Sequence, residues 1–323
     1  MRHRSAFTMI ELVMVIVSFG IIATIGAEII TRVYSNYLQT RAINRLQTQT
    51  EIVLEQIAQR LQYRIKDTTR AINTTANTTV PLLAATNTDD SVEWLGISNE
   101  SFLGQGADNA VVVPGWSGLI DMNSTATSLA ARTLASPGSR LDDTASILAQ
   151  ISAYPNGAIN MTNPAGIVKL PALVFKGPKP STTAVPYSVD NYYSNNNSNY
   201  TIRIAKAAGV NNRFVIPAGD ELLDLDEDGF GDLFEQYYLS HSAYAIVPVG
   251  AANDFNLTLR YNYRPWEGEQ YNDANTPTAV FAEHVSTFRI RQEGDVVRIK
   301  LCIHDNNQSG NFDFSACKEK VIY

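Results

Sequence analysis

Cysteine and histidine are scarce in these 323 residues, with two of the former and four of the latter. His3, His241, His284 and His304 fall too far apart to read as a ligand cluster. Neither a G-x-S-x-G elbow nor a phosphate-cradling glycine loop is present. Ser240-His241-Ser242, near a strand start, reads as surface and not as a nucleophile pair. The chain is therefore expected not to be an enzyme. Positive charge is also short, at 25 Lys and Arg against 32 Asp and Glu, a formal net charge of −7. That balance argues against nucleic acid as a partner. Charged residues make up 18% and hydrophobic ones 45%, a composition that folds. The length accommodates an anchor helix plus one large or two modest domains.

Proline and glycine are missing from one long stretch, between Gly26 and Pro81. Good helix formers dominate there as far as Lys66. Apolar residues recur at helical spacing at Val33 and Tyr37, at Leu38, Ala42 and Leu46, and at Val53, Ile57, Leu61 and Ile65. Upstream, a basic head (Arg2, His3, Arg4) precedes an apolar run whose stretch from Leu12 to Ala27 carries no charge. As a helix that stretch spans roughly 24 Å, and Phe7 to Ile10 extend it towards a bilayer core of about 30 Å. The basic head favours the cytoplasmic side. One continuous helix from about Thr8 to Lys66 is expected, its amphipathic second half packed on a globular domain.

Glu11 is the anomaly in the apolar run. A carboxylate at membrane depth is costly and so marks function. The run also continues into a long polar helix, unlike a secretory signal with its short apolar region and A-x-A-like end. Ala6-Phe7-Thr8-Met9-Ile10-Glu11-Leu12-Val13 resembles the type IV prepilin signal: a short basic leader, a small residue, Phe, and Glu four positions later. The departure is Ala6, where most of that family has Gly. The plain alternative is a single-pass anchor. The resemblance implies cleavage between Ala6 and Phe7 by a prepilin peptidase, leaving residues 1–6 as leader and Phe7 as an N-methylated terminus. It implies that Glu11 meets the free amine of a neighbouring subunit's Phe7, since a buried charge is tolerable when an opposite one meets it. It further implies partner pilin or pseudopilin subunits and an inner-membrane assembly platform. Localisation follows: the bacterial inner membrane with the head in the periplasm, then a pilus or pseudopilus.

Further along, Thr68 to Asp90 is rich in Asn and Thr and reads as a loop or linker. Short strands are expected at Val92–Ile97, 110–114, 167–176 and Thr201–Lys206, with a helix from Leu141 to Tyr154 opened by Asp142 or Asp143. The tyrosine- and asparagine-rich stretch from Asp190 to Tyr200 reads as loop packing, not a binding platform. The strongest β signal lies at Tyr244–Val249, Asn256–Tyr263, Val285–Arg291 and Val296–Ile303, the last two flanking a Glu293-Gly294-Asp295 turn. Along the final strand Val297, Ile299, Leu301 and Ile303 share one face. The expected fold class is α+β: a long N-terminal pilin-type helix, 7–66, packed on an antiparallel β-sheet head, 67–323. In an extracytoplasmic head, Cys302 and Cys317 read as one disulfide, the alternative being two buried thiols.

One motif is independent of the N-terminus. Residues 224–235, Asp-Leu-Asp-Glu-Asp-Gly-Phe-Gly-Asp-Leu-Phe-Glu, match D-x-[DN]-x-[DN]-G-x5-E without a gap. Ca2+ takes about seven oxygens at roughly 2.3–2.6 Å, which alternating carboxylates in a tight loop supply. Asp224, Asp226 and Asp228 would bind directly, Phe230 through its carbonyl, Asp232 directly or through water, and Glu235 with both oxygens. Gly229 permits the sharp turn. The alternative is a solvated acidic turn. The loop resembles EF-hand and thrombospondin type 3 loops, without evident flanking helices. A weaker copy (Asp305, Asn307, Ser309, Gly310, Asn311, Asp313) has Ala316 where the closing Glu belongs, and a disulfide-closed turn explains it equally well. Together these features point to a non-enzymatic filament subunit, a minor pilin or type II secretion pseudopilin stabilised by calcium. The alternative on the same anchor is a pilus-tip adhesin or receptor-binding module.

Overall fold

The computed structural model describes residues 8–103, 114–153, 157–162, 169–177, 186–194, 200–222, 224, 231–305 and 314–323. Helix α1 runs from Met9 to Gln62, 54 residues, or about 81 Å at 1.5 Å per residue. It is long and apolar enough to cross a membrane, and its most apolar window is wholly exposed in the isolated chain. Buried positions begin only at Leu46 and continue through Thr50, Val53, Leu54, Ile57, Ala58 and Leu61. Their three- and four-residue steps form one stripe. The helix stops short of the expected Lys66. Arg64 bridges to Gly96 and the Ile65 N–H donates to Leu95, so pairing with the sheet overrides helix propensity there. Lys66–Thr68 is then one 3-10 turn.

The stretch expected to be a loop or linker is instead a hairpin, β1 (Arg70–Asn73) and β2 (Thr78–Pro81). Its Asn residues supply turn chemistry: Asn73 Oδ1 accepts from the Thr75 and Ala76 N–H groups, and Asn77 sits at φ 52°. Strand β3 (Ser91–Leu95), helix α2 (Asn99–Leu103), strand β4 (Thr133–Ala135) and helix α3 (Leu141–Ile151) follow. Asp142 and Asp143 lie in the first turn of α3, but the N-cap is Arg140, which pairs with Asp143 at 3.1 Å. Strand β5 (Ala172–Phe175) falls inside its expected range. The single strand expected at Thr201–Lys206 is broken into β6 (Thr201–Arg203) and β7 (Ala205–Lys206), because the first pairs with β5 and the second with the strand at Arg213–Val215 in another sheet. Then come β8 (Arg213–Val215), β9 (Tyr237–Ser240), β10 (Ala243–Ala251), β11 (Asp254–Tyr263), β12 (Thr278–Glu293), β13 (Val296–His304) and β14 (Ser315–Ile322). The β14 strand was not expected from the sequence.

Eight strands form one antiparallel sheet in the order β14-β13-β12-β11-β10-β3-β1-β2, beside two three-stranded sheets, β4-β8-β7 and β6-β5-β9. The fold is α+β, a long N-terminal helix packed on an antiparallel head. One sheet face meets α1: Leu54, Ile57 and Leu61 share a core with Trp94, Ile246, Phe288, Ile299, Leu301 and Ile322. Alternation along β10 sends Ala243, Ala245 and Val247 to the other face, where they pack with Val174, Tyr192, Tyr200 and Trp266. The tyrosines of the 190–200 stretch that the structure describes are thus core. Between these layers the Arg70 guanidinium pairs with Glu93 and Asp190, both at 2.6 Å, and lies 3.7 Å from the Tyr193 ring. The Tyr263 hydroxyl donates to the same Glu93 at 2.7 Å.

Strands β13 and β14 place Cys302 directly opposite Cys317, and the two form the disulfide. On the other side of β13, the β12 pairing shifts register between Val285 and Thr287. The β11–β12 pairing also shifts, between Phe255 and Leu257. These adjoining bulges bend the start of β11, the middle of β12 and the end of β13, and side chains from all three gather there.

Candidate metal centres

Beside those bulges, Asp254 opens β11, His284 lies within β12 and His304 closes β13. Each offers a ligand atom, and the three atoms lie within 4.8 Å of one another. His284 Nδ1 is 2.9 Å from Asp254 Oδ1, and His304 Nε2 is 3.5 Å from the same oxygen. The two imidazole rings meet edge to face at 5.7 Å between centroids. His304 is mostly buried and its Nδ1 has no hydrogen-bond partner. Two imidazoles and a carboxylate make a group that could hold a metal ion. This corrects the expectation that the histidines form no cluster. The residues are twenty and thirty positions apart, and only sheet pairing unites them. A signal did exist: His284 and His304 are equidistant from Gly294, the φ 61° residue of the β12–β13 turn. Folding the hairpin about that turn sets them side by side.

The acidic loop is described in part. Asp226, Asp228 and Phe230 lie outside the described residues, whereas Asp224, Asp232 and Glu235 lie within them. The flanks of the loop are firmly held. On the leading side, Asp220 pairs with Arg203 at 2.7 Å, and Arg132 donates to the carbonyls of Ile216, Pro217 and Asp220. On the trailing side, the Glu235 carbonyl accepts from the Ile120 N–H at 2.7 Å and the Gln236 carbonyl from the Lys176 N–H at 2.8 Å. The two limbs come together within the loop. A Cβ added to Gly231 would sit 2.6 Å from Leu222 Cβ, so that approach requires glycine. The loop's described acids, Asp224, Asp232 and Glu235, carry hard oxygen donors of the kind a hard cation takes. Of the weaker copy, Asp305 is described, its N–H donating to Phe314, while Asn307 to Asp313 lie outside the described residues.

At the N-terminus, Ala6 and Phe7 lie outside the described residues. Glu11 is exposed and caps its own helix, accepting from the Thr8 N–H at 3.1 Å and the Thr8 hydroxyl at 2.9 Å. The Ser240-His241-Ser242 segment, expected at the surface, is buried throughout. His241 Nδ1 lies 3.0 Å from Ser98 Oγ, itself 2.7 Å from Ser101 Oγ. These hydroxyls satisfy a core histidine and have no access to a substrate.

The chain matches no protein-family model, no curated protein and no solved structure.

Burial pushes His241 down to about 4, Arg264 adding to the depression and Glu100 opposing it. The unfolded chain binds this proton near pH 6.5 and the folded one only near 4. His241 thus supports the fold above pH 6.5, and this contribution is lost as pH falls towards 4, by on the order of 3 kcal/mol. Melting curves across that window should converge for wild type and His241→Gln at low pH. Parallel pH profiles would show that His241 takes up its proton without resistance.

Proposed function

We propose that this chain is a non-enzymatic subunit of a type IV pilin-like filament, a minor pilin or a type II secretion pseudopilin. One observation carries the reading. A single 54-residue helix leaves its apolar first part wholly exposed and docks only its last turns, from Leu46, on the head. Exposed apolar side chains run from Met9 to Tyr37. Such a surface needs a bilayer before assembly and other subunits' helices afterwards. The helix in this reading anchors the precursor in the bacterial inner membrane with the head in the periplasm, and later lines the filament core. Prepilin peptidase cuts between Ala6 and Phe7, and the assembly platform lifts the mature subunit into the pilus or pseudopilus.

Glu11 supplies register. In the isolated chain its carboxylate is spent on Thr8, an exposed cap that a buried cationic terminus would replace. Pairing with the Phe7 amine of a neighbour neutralises both charges inside an apolar bundle, where an unpaired one is expensive. Glu11→Val should leave cleavage intact. It should reduce the variant's share of sheared filaments by at least about tenfold, as loss of one partner of a buried pair demands. Equal incorporation of variant and wild type would remove Glu11 from assembly.

The acidic loop, in the same reading, holds Ca2+ through Asp224, Asp226, Asp228, Phe230, Asp232 and Glu235 and ties β9 to the segment after β8. Occupancy at a hundredfold excess over Kd stabilises by about 2.7 kcal/mol. Chelation should therefore lower the melting temperature of the full chain in detergent by several degrees, at roughly 2–4 °C per kcal/mol. Asp224→Ala or Glu235→Ala should abolish the calcium-dependent shift. Magnesium should substitute poorly, since it demands a tighter octahedron. Identical melting in calcium and in chelator would reduce the loop to an acidic turn.

A further inference from the structure

The Asp254, His284 and His304 group has a different chemistry from the acidic loop. Imidazole nitrogen suits late first-row cations, whereas hard calcium selects oxygen. The geometry is close to what such a cation needs. In a tetrahedral site with bonds of about 2.0–2.1 Å, neighbouring ligand atoms stand roughly 3.3 Å apart. The 2.9 Å and 3.5 Å approaches of the two imidazoles to Asp254 Oδ1 bracket that spacing.

Two further observations set this group apart from an ordinary surface ion pair. His284 holds φ 56° in the middle of a 16-residue strand, a left-handed conformation unfavourable for a residue with a Cβ. Strain of this kind persists where the surroundings impose it, and it gathers at binding sites. Here both flanking strand pairings shift register beside the same residue, which brings its ring across to β11 and β13. The second observation is that His304 is mostly buried, its side chain 17% exposed, and still turns Nε2 to within 3.5 Å of Asp254 Oδ1.

We propose that Asp254, His284 and His304 form a binding site for a borderline divalent cation of the zinc class, with a fourth position left for water. Zinc is held in proteins by three side-chain ligands with water in the fourth position as well as by four side chains. A cation here ties together the start of β11, the middle of β12 and the end of β13, next to the Cys302–Cys317 staple between β13 and β14. The site therefore acts as a second clamp on the strands that carry α1.

The test uses the full chain in detergent with calcium present, titrated with ZnCl2 by calorimetry and by thermal melting. One equivalent of zinc should bind and raise the melting temperature. Asp254→Asn, His284→Asn and His304→Gln should each weaken zinc binding by at least about tenfold, as loss of a direct ligand demands. Asn is chosen at position 284 because it tolerates the left-handed conformation. Asp295→Asn, exposed in the β12–β13 turn, should bind zinc as the wild type does. Cobalt supplies a readout independent of stability: the wild type should give the intense visible bands of a four-coordinate nitrogen-containing site, and the histidine variants should not. If a variant fails to fold, the wild-type cobalt spectrum decides, and weak bands of an octahedral all-oxygen set would overturn the proposal. Absence of zinc binding by the wild type, or undiminished binding by the three variants, would overturn it equally.

Discussion

The seam between the last turns of α1 and the large sheet holds the molecule together. Ile57 and Leu61 are completely buried there, against Ile299 and Leu301 of β13. Fully burying such a side chain is worth roughly 1.5–3 kcal/mol. The stripe from Leu46 to Leu61 therefore outweighs the exposed ion pairs at its rim. Those pairs, Glu51 with Lys318 and Glu55 with Lys320, are exposed and screened by solvent, and they match β14 to the turns of α1 above it. The Lys318 ammonium holds the Glu51 carboxyl below its ordinary range. Because the seam begins only at Leu46, the apolar side chains from Met9 to Tyr37 stay exposed. A helix made by the same residues but docked along its whole length would have no surface left for a membrane or a filament.

The opposite face of the sheet is organised by charge as well as by apolar contact. Glu93 is buried and takes bonds from Arg70 and Tyr263, while Arg70 reaches on to Asp190 and stacks over Tyr193. Separating a buried pair of this kind costs about 3–5 kcal/mol, because one charge is left without compensation. This network fixes how the segments around Asp190 sit on β1 and β3. The pinned flanks of the acidic loop, through Arg203, Asp220 and Arg132, belong to the adjoining layer.

Much of this was legible in the sequence, and the rest was hidden for identifiable reasons. The absence of Pro and Gly after Gly26 foretold α1, and the alternation of Val297, Ile299, Leu301 and Ile303 foretold the core face of β13. The β14 strand escaped because Lys318 and Lys320 break its apolar pattern. They follow Ala316 on the face towards α1 and find Glu51 and Glu55 there, a match visible only once the helix is in place. Asn73 and Asn77 gave Thr68–Asp90 the composition of a loop or linker while making the turn of a hairpin. Ser240 and Ser242 lent His241 a surface look, although in the fold its partner is the buried Ser98. The Asp254, His284 and His304 group depends on strand register and two bulges, neither of which local spacing encodes. The acidic loop is the reverse case, since its pattern is plain in sequence while Asp226, Asp228 and Phe230 fall outside the described residues.

The proposed role rests on one chemical event at the start of the chain, and that event has a direct readout. N-terminal peptides from native membrane fractions, analysed by mass spectrometry, should begin at Phe7, carry one added methyl group, and lack residues 1–6. An intact Met1 on the membrane-bound protein would contradict the pilin reading and leave α1 as a plain single-pass anchor.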